Sequence, residues 1–173
     1  MNAQEFLNAY APARAYAFAL QPDRCHIGSA PTLKEATEAY GTDTVLTLID
    51  SFVVDLERFC TQRNTMNKDQ RAQLATVILT TYNSLRVTEL SLFIVRAKAG
   101  KFGKFYNTLE PMDITVKLSA WSDYCNQRRG ELYWDLWEKF KEGQSMGEIP
   151  RNYEFSDCIS YFDTSGQMKL IFN

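Results

Sequence analysis

Residues 87–99 read VTELSLFIVRAKA, and on a helical wheel their apolar side chains point to all sides. A helix that is apolar all round is enclosed by other elements, so this segment is predicted to run through the middle of the domain. Gly100 follows directly, and glycine is the residue that most often ends a helix in the left-handed conformation. We therefore expect a central helix that ends at Gly100.

Glu89 is the only acidic residue in this central segment. Burial of an unpaired charge costs on the order of several kcal/mol, so a buried Glu89 needs a partner. We predict a structural ion pair with Arg128, which lies on the inner stripe of a later helix. Arg96, two turns along the same helix, is the second choice. A structural pair is favoured over a catalytic carboxylate because no second acid or nucleophile accompanies Glu89.

The segments before the central helix also have helical patterns. Residues 42–60 carry one apolar stripe, which predicts an amphipathic helix. The stripe consists of Val45, Ile49, Phe52, Val53, Leu56 and Phe59. Residues 3–20 suit a helix as well, but Pro12 has no N–H to donate, so they should form two short helices or one kinked helix. Residues 21–31 contain Pro, Gly and Ser and are predicted to form a loop.

Two pairs of residues mark the starts of further helices. Thr32 and Glu35 have the spacing of a capping box and begin a short helix that should end at Gly41. Asn67 and Gln70 mark the start of the next helix in the same way.

A long helical segment is predicted at residues 112–142, because Pro111 is well placed to open it. Arg128, Arg129 and Gly130 separate its two apolar stripes, so the pattern fits either one long helix or two.

The last part of the chain has the pattern of strands. Two short apolar runs in residues 159–172 flank the turn DTSG at 163–166, which predicts a β-hairpin. The fold class is therefore mainly α, a compact bundle of about six helices with a small C-terminal β-hairpin. We expect a single domain over residues 1–173, with residues 143–173 packed as a loop and hairpin on a helical core of residues 1–142.

No common catalytic motif is present in the sequence. There is no GxxxxGK[ST] phosphate loop, no GxGxxG and no HExxH. The formal net charge is −2. No apolar run approaches the roughly 20 residues that a membrane span needs. We therefore expect a non-enzymatic protein with no cofactor and no membrane association.

The sequence also predicts no metal site, because its histidine and cysteines do not have metal-binding spacing. His26 is the only histidine and is expected to be a solvated loop residue. Cys25, Cys60, Cys125 and Cys158 contain no CxxC pair, and the N-terminus does not resemble a signal peptide. We expect four reduced, mostly buried thiols and a cytoplasmic protein.

The densest functional signal lies at and after the end of the central helix. Four cations alternate with three aromatic residues: Arg96, Lys98, Lys101 and Lys104 with Phe102, Phe105 and Tyr106. Cations bind phosphates and rings stack on bases, so this pattern predicts binding of single-stranded nucleic acid.

Two simpler interpretations compete with nucleic-acid binding. Arg96 and Lys98 complement the dipole of a helix C-terminus, and the aromatic residues could pack the loop onto the core. The rival function is a protein-interaction module or a homodimer, since Trp134 falls outside the apolar stripe and an exposed Trp suits an interface.

The same region resembles an uncharacterised bacterial family. The resemblance rests on TELSLF at 88–93, RAKAGKFGKFY at 96–106 and EPMDIT at 110–115. The family is associated with gut Bacteroidetes and with their phages and mobile elements. The resemblance implies a cytoplasmic protein connected with mobile DNA, and it supplies no activity.

Overall fold

The computed structural model describes residues 1–60, 65–105 and 109–157, and this part of the chain forms eight α-helices. In chain order they are α1 Ala3–Ala9, α2 Ala15–Ala19, α3 Pro22–Ile27, α4 Leu33–Tyr40, α5 Thr42–Cys60, α6 Lys68–Thr81, α7 Val87–Lys98 and α8 Pro111–Ser145. Short 3₁₀ turns occupy Pro12–Arg14 and Phe155–Asp157. The mainly α class is confirmed for these residues, whereas the hairpin predicted at 159–172 lies outside them.

The count of about six helices was too low, chiefly because a loop was predicted where α3 forms. The composition of residues 21–31 suggested a loop, but Pro22 occupies the first position of a helix. Proline is favoured there because its missing N–H would have no intrahelical partner in any case. The break at Pro12 is confirmed, since α1 and α2 are separated by the 3₁₀ turn.

The predicted helix starts are confirmed in atomic detail. The Thr32 hydroxyl accepts the backbone N–H of Glu35 at 3.1 Å, and the Glu35 carboxylate accepts the N–H of Thr32 at 2.8 Å. Asn67 and Gln70 form the equivalent reciprocal pair at the start of α6. The cap of α4 at Gly41 has a φ of +89°, which an L-residue rarely adopts.

Helix α7 is the central helix, as predicted. Nine of its twelve residues are buried, and α2, α3, α5 and α8 all pack against it. The apolar stripe of α5 faces this core from Val45 to Leu56. Phe59 is the exception, because it is 55% exposed and the Lys98 ammonium lies over its ring, 5.5 Å from the centre.

Helix α8 is a single helix of 35 residues, which decides the question left open at Arg128 to Gly130. Its first half joins the main core through Leu118 and Trp121. Its second half forms a smaller apolar cluster with other elements: Ile27, Leu132, Leu136, Phe140 and Ile149. No helix in the described ranges combines the length and the apolar character needed to cross a membrane.

Two glycines, one just after α7 and one inside α8, are predicted to respond in opposite ways to replacement by alanine. Gly100 has a φ of +74°, and the N–H of Lys101 donates to the Arg96 carbonyl at 3.0 Å across the turn. Gly100→Ala should therefore lower the free energy of unfolding by about 1–2 kcal/mol. Gly130 lies inside α8 with open space around its α-carbon, so Gly130→Ala should raise that free energy by about 0.5–1 kcal/mol. Urea unfolding of both variants tests this, and equal signs would contradict it.

A cleft above a buried polar cluster

An open cleft of about 450 Å³ lies between the end of α7 and the middle of α8. We call it the Arg96 cleft. It is lined by Arg96, Lys101, Phe102, Ala120, Trp121 and Tyr124. These described lining residues include two cations, three aromatic rings and no carboxylate. The arrangement offers positive charge and flat apolar surface within one small space.

The floor of the cleft is a stack of two rings and a guanidinium group. The ring centres of Trp121 and Tyr124 are 5.2 Å apart, with 24° between their planes. The Arg96 guanidinium lies over both rings, 5.0 Å from the Trp121 centre and 5.5 Å from the Tyr124 centre. Trp121 is buried, whereas Tyr124 is 42% exposed and so presents the ring that solvent can reach.

The turn after α7 places the other wall of the cleft. Gly100 and Gly103 both have positive φ, and between them the chain folds back so that Phe102 packs on the core. The Phe102 ring stacks on Phe93, with ring centres 4.9 Å apart. This packing leaves the exposed Lys101 at the rim.

The structure brings together only part of the predicted basic-aromatic set. Arg96, Lys101 and Phe102 line the cleft, and Lys104 is exposed nearby in sequence. Phe105 packs partly on the core, and the Lys117 ammonium lies 4.9 Å from its ring centre. Tyr106 lies outside the described residues.

Lys98 belongs to a different surface. Its ammonium forms an ion pair with Asp55 and donates a hydrogen bond to the Tyr16 hydroxyl at 3.1 Å. Burial alone would lower the pKa of Lys98, but the hydrogen bonds to Asp55 and Tyr16 outweigh it and raise the pKa. Lys98 therefore ties α7 to α2 and α5 and does not line the cleft.

A buried polar cluster lies beneath the cleft, and we call it the Glu89 cluster. It consists of His26 from α3, Glu89 from α7, and Cys125 and Arg129 from α8. His26 Nδ1 and Arg129 Nε lie 2.9 and 3.0 Å from the same oxygen, Glu89 Oε1. The other oxygen, Oε2, accepts the backbone N–H of Arg86 at 2.8 Å. The cluster thus joins three helices at one carboxylate.

The predicted burial of Glu89 is confirmed at 0% exposure, but the predicted partner is wrong. Arg128 instead pairs with Asp23 at 3.1 Å and with Glu131 at 3.0 Å, near the surface. Because α8 continues unbroken, its next residue lies about 100° further round the helix and reaches Glu89. That residue is Arg129. Arg96, the second choice, stacks on the cleft floor.

The prediction for His26 was also wrong, since this side chain is 1% exposed. Helix α3 is fixed to the start of α7 by two hydrogen bonds, which bring His26 against Glu89. The Thr88 hydroxyl donates to the Cys25 carbonyl at 2.8 Å, and Arg86 Nε donates to the His26 carbonyl at 2.9 Å. No local sequence motif links residues 63 positions apart, so only the fold reveals this contact.

Three metal-ligating side chains converge within the Glu89 cluster. One ligand-type atom each from His26, Glu89 and Cys125 lies within 4.8 Å of the others. Among the described residues, His26 Nε2 is buried and has no hydrogen-bond partner. This set could hold a metal ion, although no pair of its members is close in sequence.

The two thiols nearest this cluster, Cys25 and Cys125, have raised pKa values. Burial, reinforced by the charge of Glu89, raises the pKa of Cys25 to about 12 and also raises the pKa of Cys125. Burial raises the pKa of Cys60 as well. Cys25 and Cys125 are buried, Cys60 is partly buried, and none of these three is in a disulfide, whereas Cys158 lies outside the described residues.

The cluster and the cleft share Trp121. Its indole N–H donates to the Glu89 carbonyl at 3.1 Å, and its ring forms part of the cleft floor. The His26 ring lies 6.0 Å from the Trp121 ring and 5.9 Å from the Tyr124 ring, centre to centre. The buried polar contacts therefore hold the floor of the cleft in place.

Residues 65–150 match a family of unknown function, DUF6633. This segment contains the whole Arg96 cleft, Glu89 and Cys125, whereas His26 lies outside it. No curated protein and no solved structure matches the chain. The match supports the resemblance to an uncharacterised family, and its description supplies no activity.

Proposed function

We propose that the protein is a non-enzymatic accessory protein that binds single-stranded nucleic acid through the Arg96 cleft. The observation that carries the proposal is the combination of Arg96 and Lys101 with the half-exposed ring of Tyr124 in one cleft, whose described lining residues include no carboxylate. Cationic grooves with stacking rings are the usual means of binding single strands.

Each part of the cleft has a role in this proposal. Lys101 and Arg96 bind backbone phosphates, and Tyr124 offers a face on which a base stacks. A volume of about 450 Å³ admits one splayed-out nucleotide. Bases in a duplex are already stacked on one another, so single strands are the favoured ligand.

The resemblance found in the sequence supports a role connected with mobile DNA in the bacterial cytoplasm. The segment that carries it, residues 88–115, contributes Arg96, Lys101 and Phe102 to the cleft. A protein in such a role would meet single strands during transfer or replication of the mobile element.

Fluorescence anisotropy with a labelled oligonucleotide tests the proposal. We expect binding of single-stranded DNA or RNA at low salt, weaker binding of a duplex of equal length, and a steep loss of affinity as salt rises. No binding of any oligonucleotide at low salt would contradict it.

Two cleft substitutions should weaken this binding in different ways. Tyr124→Ala removes a stacking face worth about 1–3 kcal/mol, so the affinity should fall roughly 5- to 150-fold. Lys101→Gln removes a phosphate contact and should reduce the salt slope by about 1. Lys139→Gln, which removes an exposed charge on α8 outside the cleft, is the matched control. Equal effects of Lys101→Gln and Lys139→Gln would show that the cleft is not the binding site.

A second candidate function is protein interaction through α8. Trp134 is 63% exposed, as its position outside the apolar stripe predicted, and an exposed Trp suits an interface. Met112, on the same helix, is exposed as well. A self-associating protein would show a concentration-dependent mass in sedimentation that Trp134→Ala abolishes, with no dependence on nucleic acid.

A further inference from the structure

We propose that His26, Glu89 and Cys125 form a binding site for one zinc ion. The proposal does not depend on nucleic-acid binding, because it rests on the buried Glu89 cluster alone. Three helices, α3, α7 and α8, each contribute one ligand atom, and these atoms lie within 4.8 Å of one another. All three side chains are buried.

The ligand atom of His26 is Nδ1, which lies 2.9 Å from Glu89 Oε1. The other ring nitrogen, Nε2, points away from this oxygen, so an ion bound to Nε2 would be out of reach of Glu89. Zinc between Nδ1 and Oε1 replaces their direct contact, and these two atoms already lie near the spacing of two zinc ligands.

The set of donor atoms favours zinc over other ions. Imidazole nitrogen, carboxylate oxygen and thiolate sulfur are the three donors that zinc uses in proteins. Magnesium and calcium prefer oxygen donors throughout, so Cys125 argues against them. Three protein ligands leave the fourth tetrahedral position to a water molecule.

Zinc binding requires a modest closing of the site. Ligand atoms around tetrahedral zinc lie about 3.3–3.8 Å apart, given bond lengths of about 2.0–2.3 Å. The present separations extend to 4.8 Å, so the ligand atoms must approach by about 1 Å. The thiol of Cys125 must also lose its proton, which passes to solvent as the zinc–sulfur bond forms.

A charged side chain next to the site competes with zinc for Glu89. The groups that act electrostatically on Cys125 are Glu89, Arg129, Arg96 and Cys25. Arg129 Nε lies 3.0 Å from Glu89 Oε1, so zinc must displace this side chain from that oxygen. Its side chain is 19% exposed and can turn towards solvent, whereas Arg96 is held over Trp121 and Tyr124.

Cobalt(II) is the direct probe of the site, because it binds at zinc sites and gives a thiolate-to-metal absorption band. The metal-free full-length protein is titrated first with Co²⁺ and then with Zn²⁺. We expect one Co²⁺ per chain, a band that Zn²⁺ removes, and a rise in melting temperature with Zn²⁺. A folded protein that shows neither the band nor the rise would overturn the proposal.

Variants separate this site from other thiols. Cys125→Ser should abolish the cobalt band, and Cys25→Ser, which changes another buried thiol close to Glu89, should keep it. Arg129→Gln removes the competing cation and should tighten zinc binding. A band that survives Cys125→Ser, or zinc binding that weakens in Arg129→Gln, would contradict the proposed site. Oligonucleotide binding is measured separately, so either proposal can fail alone.

Discussion

Glu89→Gln is expected to lower the free energy of unfolding by about 3 kcal/mol, the lower end of the range for breaking a buried ion pair. The substitution removes the charge that Arg129 and His26 share, and it leaves Arg129 without its partner. The lower end applies because Arg129 reaches solvent in part. Denaturant unfolding, with the slope checked for two-state behaviour, measures the loss.

The matched control for this prediction is Glu138→Gln. Glu138 pairs with Lys141 at 3.0 Å on α8, but both side chains are about half exposed. Such a surface pair contributes at most about 1 kcal/mol. If Glu89→Gln were no more destabilising than Glu138→Gln, the central position of the Glu89 cluster would be contradicted.

Phe52→Ala is expected to cost about 3–5 kcal/mol, the usual range for removing a buried phenyl ring and leaving a cavity. Phe52 is enclosed by the main core on α5. Phe59→Ala makes the same chemical change seven residues later on the same helix, where the ring is exposed. Its cost should stay near or below about 1 kcal/mol, since the exposed ring buries little surface and loses a cation–π contact with Lys98. Thermal and urea unfolding of the two variants give the comparison, and similar losses would contradict the assigned core.

Much of the helical architecture could be predicted because its causes are local. The all-round apolar pattern of residues 87–99 predicted the central helix, and the capping residues Thr32 and Asn67 predicted the starts of two others. The composition of residues 21–31 led to the wrong prediction of a loop, because proline marks both loops and the first turn of a helix. The position of Pro22 decides between them only when the contacts of α3 with α7 are known.

The site was harder to predict because it depends on contacts between distant segments. The burial of Glu89 follows from its helix, but its partner depends on the exact rotation of α8. One residue, about 100° on a helix, separates Arg129 from Arg128. His26 reaches Glu89 only because α3 forms. The cleft was hard to predict for the same reason, because Tyr124 comes from a helix that the basic-aromatic pattern does not include.

Chemical-shift mapping with a short single-stranded oligonucleotide tests the proposed function most directly, because it locates the contact as well as detecting it. The titration uses isotope-labelled protein at low salt and follows the backbone amides and the indole N–H groups. We expect the largest changes at Arg96, Lys101, Phe102 and Tyr124, together with the indole N–H of Trp121. Unchanged spectra at saturating oligonucleotide, or changes confined to the surface around Lys98, would contradict it.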